Sequence, residues 1–424
     1  MNDSHPFLAE LAARRRFGMK PGLDSIRAVL ERLGNPQDRV AAIHIAGTNG
    51  KGATAAIIDA ALRRTGLRVA RYTSPHLVRL NERFFLDGKP IDDATLENAA
   101  CRVAAVAPKE LTFFEALTAV AFLAFAEAGI DCAILETGLG GRLDATNVCK
   151  PILSIITRIG LDHCDWLGDT AESIATEKAG IIKPGIPVVV GANEKSVHAV
   201  ISEVAHGKAA QVVYAPDMTH EADIPPGFPL HGAFNRENAL TALAALRTLR
   251  TQGKIRSWET EVFKKLAAIP EPAAPLLASE IVWPGRFQKI GRFLIDGAHN
   301  PPAAIALASA LADSKPAARC MIAGFCGDKN IDEILRILKP LATKVYAVKT
   351  SNPRSLPPAD LVAKMAAAGM DATPCDSLAD AISRSQGETL ICGSLFLAGE
   401  ALVALGAYPW PTDRLDPNEI LMPV

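Results

Sequence analysis

Neither sign of charge dominates this sequence. Its 424 residues carry 45 Lys and Arg against 46 Asp and Glu, so no net field would hold the chain on nucleic acid or on an anionic membrane. Small molecules are the expected partners. Close cysteine pairs are lacking as well. Cys101, Cys132, Cys149, Cys164, Cys320, Cys326, Cys375 and Cys392 stand singly, without the spacing of zinc sites or redox dithiols, and read as reduced core thiols. The longest apolar run, Ala116 to Ala126, is well short of a bilayer span. The amino terminus is polar and then basic at Arg14, Arg15 and Arg16, without the apolar stretch and cleavage site of a secretory signal. A cytoplasmic monomer is expected.

A chain of this length predicts two domains. Short β-branched runs alternate with helical patterns, the signature of a mostly parallel sheet covered by helices. Val40 to Ala46, Leu67 to Thr73, Asp131 to Glu136, Pro151 to Thr157 and Pro187 to Gly191 read as strands, each ending near polar or glycine-rich residues. Such ends are where ligands bind in open α/β sheets. Pro- and Gly-rich sequence interrupts the pattern from Tyr214 to Gly232, and a linker is expected from Pro270 to Pro284. Beyond it, Arg292 to Ile295, Arg319 to Ala323, Lys344 to Lys349 and Thr389 to Gly393 read as strands of a smaller unit. The expected division is a large α/β domain over 1–284 containing a phosphate loop, followed by a smaller Rossmann-like α/β domain over 285–424.

Gly47-Thr48-Asn49-Gly50-Lys51-Gly52-Ala53 joins the first strand to a helix. Glycines let the backbone N–H groups turn inward, the helix presents its positive end, and Lys51 can reach outer phosphates. Gly52 stands where the strict pattern has Ser or Thr. A dinucleotide fold fits less well, because the second strand runs into Ser74-Pro75-His76 and not into an acidic residue.

Mg²⁺ bridging phosphates needs a few oxygen ligands and keeps several waters. Ser74 after the second strand, Glu136 at the end of the third and His163 after the fourth are candidates, if the sheet order opens them onto the edge that carries Lys51. Each alone has a plainer explanation as a cap, a salt-bridge partner or a loop residue. A second glycine-rich turn, Gly138 to Asn147, carries Arg142, suited to a carboxylate, and Asp144, suited to an amino-substituted heterocycle; an ordinary Arg and Asp loop explains it equally. Phe113 and Phe114 open a strongly apolar helix, where core packing is the default and one ring could stack on a flat ligand.

These residues, together with Thr73-Ser74-Pro75-His76-Leu77, Leu161-Asp162-His163, Glu177-Lys178-Ala179-Gly180-Ile181, Trp283-Pro284-Gly285-Arg286-Phe287, Asp296-Gly297-Ala298-His299-Asn300-Pro301 and Gly393-Ser394-Leu395, resemble the folylpolyglutamate and dihydrofolate synthase branch of the Mur ligase superfamily. The motifs run in the family's order from about Gly22 to Ala401. The resemblance implies ATP on Gly47 to Ala53, with further ATP contacts from Asn238, Arg286 and Asp296. It implies Mg²⁺ on Ser74, Glu136 and His163, with a monovalent cation as a further candidate, and a carbamylated Lys178. It places Lys51, His163, Lys178 and His299 in catalysis. On the folate side it implies Gly22, Leu23, Thr112, Phe113, Phe114, Glu115, Leu143, Asp144 and Ala145. Three positions depart from the family: Ala53 stands for Ser or Thr, leaving Thr54 or Thr48 to supply any hydroxyl; Phe234-Asn235 stands for a His-Gln or His-Asn pair; and Asn330 stands where aspartate is common.

The chemistry implied is attack of a pteroate or folate carboxylate on the γ-phosphorus of ATP, then displacement of phosphate by the glutamate amine, with the second domain supplying Asp296 and His299 on closure. A peptidoglycan-type ligase would be expected to carry a further amino-terminal domain, and only about forty residues precede the first strand. A regulatory ATP-binding protein would need neither the metal ligands nor a carboxylate pocket.

Overall fold

The computed structural model describes residues 22–256, 260–270, 273–278, 280–312 and 319–411. Arg14 to Arg16 and parts of the expected linker, 271–272 and 279, lie outside the described residues. Two compact units are present. The first joins residues 81–229 and 237–281 to the chain before Leu77, and the second runs from Val282 with Leu77–Leu80 and Leu230–Arg236 built into it. Two short segments therefore leave the first unit's stretch of sequence for the second, which a single cut in the chain does not express.

The first unit is built on an eight-stranded sheet. In chain order its strands are β1 (Ala42–Ala46), β2 (Val69–Tyr72), β3 (Phe84–Leu86), β4 (Lys89–Pro90), β5 (Cys132–Glu136), β6 (Pro151–Ile156), β7 (Val188–Val190) and β8 (Val212–Tyr214). They lie in the order β4-β3-β2-β5-β1-β6-β7-β8, parallel except where β2, β3 and β4 meander. β1 pairs with β5 on one side and β6 on the other, so all five of its residues are buried. Covered on both faces, such a strand reads as a continuous apolar run, and His44 is its only polar side chain. The expected parallel sheet is present; the hairpin strands and β8 were too short for the alternation to reveal.

The apolar run at Ala116 to Ala126 belongs to the helix Phe113–Glu127, buried from Glu115 to Phe125. A helix apolar all round is a core helix, and no described helix is long and apolar enough to cross a membrane. Thr112 and Glu115 close its N-terminus as a capping box, each bonding the other's backbone N–H.

The second unit carries a six-stranded sheet: β9 (Gln288–Ile290), β10 (Phe293–Ile295), β11 (Cys320–Ala323), β12 (Lys344–Ala347), β13 (Ala372–Pro374) and β14 (Thr389–Cys392), in the order β13-β12-β11-β14-β10-β9. Only β9 runs antiparallel to its neighbour. Leu77 and Val78 pack in its core with Phe293, Ile295 and Ala398. All eight cysteines are free, but Cys164 is exposed and Cys101 and Cys320 are only half-buried, which corrects the expectation of core thiols throughout.

Candidate active site

The four strands that feed the expected site stand side by side, in the order β2, β5, β1, β6, and run parallel. Their carboxyl ends therefore share one rim of the sheet. Ser74 follows β2, Glu136 ends β5, Gly47 to Lys51 follow β1, and His163 lies in the loop after β6. Residues distant in sequence meet because chain order and strand order differ.

The loop after β1 is held by its neighbours. Gly47, at φ +154°, could not carry a side chain: a Cβ would stand 1.9 Å from Thr157 Oγ1. Thr157 Oγ1 in turn donates to the Asn49 carbonyl at 2.8 Å. Thr48 Oγ1 donates to Gly160 O at 2.9 Å and receives the Gly160 N–H at 3.1 Å, tying the loop to the segment after β6. On another side Asn238 presses its carboxamide on Gly50, where a Cβ would fall 2.2 Å from Oδ1. The helix Lys51–Arg63 then begins, with Gly50 in left-handed backbone at φ 85°.

Lys51 Nζ donates to the Gly47 and Thr48 carbonyls at 3.0 and 3.3 Å and lies 3.8 Å from Glu136 Oε1. Glu136, buried, also accepts the Ser74 backbone N–H at 3.2 Å. Lys178 approaches from the helix Ala171–Ala179 and donates from Nζ to the Gly47 carbonyl at 2.8 Å. Burial, followed by the neighbouring Lys51 charge, pulls the Lys178 pKa from 10.5 down to about 7, against attraction from Asp162, Asp144 and Glu136. Of the expected residues, Lys51, Ser74, Glu136, Lys178 and Asn238 thus surround one loop. His163 takes left-handed backbone at φ 53° and keeps a half-exposed side chain, with Nε2 3.9 Å from Asp162 Oδ1.

Neither hydroxyl considered as a replacement at Ala53 faces the loop's outside. Thr48 is engaged with Gly160, and Thr54 is buried with no partner for its oxygen. Among the described residues no three His, Cys, Asp or Glu side chains cluster as a metal cage. The donors that do adjoin, one buried carboxylate beside a serine, suit a hard cation that retains water and do not suit zinc.

The folate-side expectations divide. Asp144 is buried, and its carboxylate is filled by its own loop: Gly138 and Leu139 N–H bond Oδ2 at 2.8 and 3.0 Å, while Thr146 bonds Oδ1 through both N–H and hydroxyl. Desolvation nonetheless raises its pKa above the ordinary carboxylate value. Thr112 and Glu115 bond one another in the capping box. Arg142 bonds Glu177 through Nε and Nη2 at 3.1 and 2.8 Å, at the surface. Phe114 is half-buried against Gly138, where a Cβ would meet its ring at 2.6 Å, and lies 6.0 Å from the Tyr72 ring. Leu143 is exposed and Ala145 buried. Gly22 and Leu23 lead into the helix Asp24–Arg32. Sequence reading did not assign Thr157 to the loop or Asp162 to Lys178, although Thr157 ends the strand read from Pro151 and Asp162 stands in the Leu161-Asp162-His163 motif.

In the second unit, Asp296 follows β10 and accepts the Phe287 and Ala298 N–H groups, each at 2.8 Å. Burial raises its pKa, and the Arg286 charge opposes the rise. His299 Nδ1 lies 2.7 Å from the Gly297 carbonyl, which can only accept, so Nδ1 carries the proton. Phe234 packs edge-on against Phe287 at 5.8 Å, and Asn235 donates to the His231 carbonyl at 2.7 Å. Asn330 bonds Glu333 at the start of the helix Ile331–Leu338.

This loop, the rim around it and the two sheets are the architecture of a Mur-type ligase. Residues 45–246 match the Mur ligase middle domain and residues 285–394 the Mur ligase glutamate ligase domain. The chain is 34% identical over 373 residues to the dihydrofolate synthase/folylpolyglutamate synthase of Bacillus subtilis, covering 81% of this chain and 84% of that one. It is 33% identical over 433 residues to the folylpolyglutamate synthase of Lacticaseibacillus casei, covering 93% and 95%. The chain belongs to the dihydrofolate synthase/folylpolyglutamate synthase family. Among solved structures, Escherichia coli FolC in complex with DHPP and ADP superposes with a TM-score of 0.82 at 29% identity, covering 96% and 99% of the two chains. A bifunctional folylpolyglutamate synthase/dihydrofolate synthase with Mn, AMPPNP and L-glutamate bound gives 0.79 at 29%, covering 95% and 98%.

Proposed function

We propose that this chain uses ATP to join L-glutamate to dihydropteroate, to the glutamate tail of tetrahydrofolate, or to both. The observation that carries the reading is the convergence of Lys51, Lys178, Glu136 and Ser74 on the loop after β1, with Lys178 Nζ 2.8 Å from the Gly47 carbonyl and Lys51 3.8 Å from Glu136. The acceptor carboxylate forms a bond to the γ-phosphorus as the bond to ADP breaks. The glutamate amine then attacks the acyl carbon, phosphate leaves, and the amine sheds a proton.

No side chain need act as nucleophile. The protein's part is to bring two anions together, and Lys51 neutralises charge at the phosphates while the loop N–H groups cradle them. Lys51 must leave its loop carbonyls to do so, a short swing for a flexible side chain. Glu136, Ser74 and His163 are the residues proposed to hold Mg²⁺, which when bound would screen the phosphate oxygens. Lys178 is proposed to carry CO₂ as a carbamate; its lowered pKa supports this, because only the neutral amine takes up CO₂. Arg286 and Asp296 are proposed ATP contacts, and His299 a catalytic residue. Phe114, half-buried against Gly138, is proposed to present its ring to the flat acceptor. A cytoplasmic setting suits these substrates.

The test is purified protein with ATP, Mg²⁺, glutamate and either dihydropteroate or tetrahydrofolate. Acceptor-dependent ADP release is expected with one or both, and the ratio separates first addition from chain extension. No acceptor-dependent release with either would refute the reading.

A further inference from the structure

His44 stands in the middle of β1, three residues before Gly47, and is wholly buried. Burial, followed by the Lys183 charge, lowers its pKa to about 3, so the ring is neutral at any working pH. It is neither a base nor a ligand in the chemistry above, and packing alone does not explain it. An apolar residue would fill a central parallel strand without burying a polar ring, and His44 Nδ1 has no hydrogen-bond partner.

The other ring nitrogen explains the residue. His44 Nε2 lies 2.8 Å from Thr146 Oγ1, and Thr146 Oγ1 lies 2.5 Å from Asp144 Oδ1. Asp144 accepts from the N–H groups of Gly138, Leu139 and Thr146, and the Thr146 hydroxyl donates to its Oδ1. The Thr146 hydroxyl must then give its proton to Asp144 and can only accept from His44. This fixes the imidazole as the tautomer with hydrogen on Nε2 and leaves Nδ1 as a bare lone pair, the less costly kind of unpartnered atom.

The chain links two loops. At one end is the strand that delivers the phosphate loop. At the other, Asp144 folds the Gly138–Asn147 loop onto itself, and Gly138 lies so close to Phe114 that a Cβ would stand 2.6 Å from the ring. Gly138 is therefore one wall against the Phe114 ring, which has the Tyr72 ring 6.0 Å away as another neighbour.

We propose that His44 is a positioning residue for acceptor binding, holding Thr146, Asp144 and through Gly138 the ring of Phe114 in register with the phosphate loop. This rests on the folate reading above and adds to it the residue that orients its acceptor wall. His44 touches no substrate. Its loss should loosen the acceptor site and spare the nucleotide loop, which Thr157, Gly160 and Asn238 hold independently.

The experiment is steady-state kinetics on wild type, His44→Leu, His44→Gln and Thr146→Val, varying acceptor and ATP separately. His44→Leu and Thr146→Val should each raise the acceptor KM about tenfold, the order of effect seen when an orienting hydrogen bond is removed, while the ATP KM stays within about twofold. His44→Gln, which can place an amide N–H near the Nε2 position, should return the acceptor KM to within about threefold of wild type. If His44→Leu does not fold, Thr146→Val carries the test alone. An unchanged acceptor KM in the variants, equal rises for ATP and acceptor, or a His44→Gln no better than His44→Leu would each overturn the positioning role while leaving the ligase reading intact. A wild type inactive with both acceptors would overturn the ligase reading instead.

Discussion

Lys178→Ala should abolish ligation and leave the fold standing, for an electrostatic reason. At a pKa of about 7, down from 10.5, the amine is mostly neutral at pH 8, whereas an ordinary lysine is neutral in roughly one molecule in 300. The reactive fraction is thus raised roughly 300-fold by burial and by Lys51. Uptake of CO₂ forms an N–C bond, releases one proton and turns a cation-prone group into an anion beside Lys51. The assay is ¹³C NMR of protein equilibrated with ¹³C-bicarbonate. One carbamate resonance is expected in wild type and none in Lys178→Ala, with activity falling as pH drops below about 7 and the amine protonates. The stability sign is also fixed. A lysine whose folded pKa lies below its unfolded value destabilises the fold at low pH, and the penalty fades as pH rises from about 7 to 10.5. Lys178→Met should therefore raise Tm at pH 6, and the gain should shrink toward pH 10 and above. A wild type with no carbamate signal, together with an active Lys178→Ala, would refute the reasoning.

Lys51→Ala should lower kcat by about 100-fold or more with circular dichroism unchanged, since Lys51 bonds only carbonyls of its own loop and an ion-pair partner at 3.8 Å. Gly50→Ala should raise the ATP KM by about tenfold, because the new Cβ would collide with Asn238 Oδ1 at a φ of +85°; an unchanged KM would mean that this contact gives way freely. Arg142→Ala should cost no more than about 1 kcal/mol in denaturant unfolding, its pair with Glu177 being at the surface, and should leave the acceptor KM alone. A large rise in acceptor KM would return Arg142 to the role of carboxylate ligand.

The rim of the sheet was legible because strand ends carry their own punctuation. Gly47, Ser74, Glu136 and the turn at Gly160 each follow a β-branched run, and parallel strands place such ends together whatever their order. What the alternation could not supply was the order itself. That β5 lies between β1 and β2, bringing Glu136 within 3.8 Å of Lys51, is a pairing choice written in no local pattern. The hairpin strands β3 and β4 and the short β8 escaped for another reason: strands of two or three residues give too few alternations to count. Leu77–Leu80 joining the second unit is non-local again, since it depends on burial against Phe293 and Ala398, more than 200 positions away.

The polar residues of the proposed acceptor region teach a different lesson, because residue type alone does not say whether a side chain serves a ligand or the fold. Thr112, Glu115, Asp144 and Arg142 are all suited to binding a substrate, and the structure spends each on a neighbour: the first two on one another, Asp144 on four donors of its own loop, Arg142 on Glu177. A carboxylate whose acceptor positions are filled can meet a substrate amine only by releasing a bond it already makes. If the acceptor binds where we propose, the apolar and backbone surface those bonds hold in place, Phe114 against Gly138 above all, is what it would find preformed. Polar residues behind that surface then act by fixing its shape. On that argument Asp144→Asn should harm acceptor binding through the loop, losing acceptor capacity for N–H groups that the native carboxylate satisfies. The loss should appear as raised backbone hydrogen exchange at Gly138 and Leu139 before any acceptor is added, whereas a variant that merely lost a ligand contact would leave exchange at those two amides unchanged.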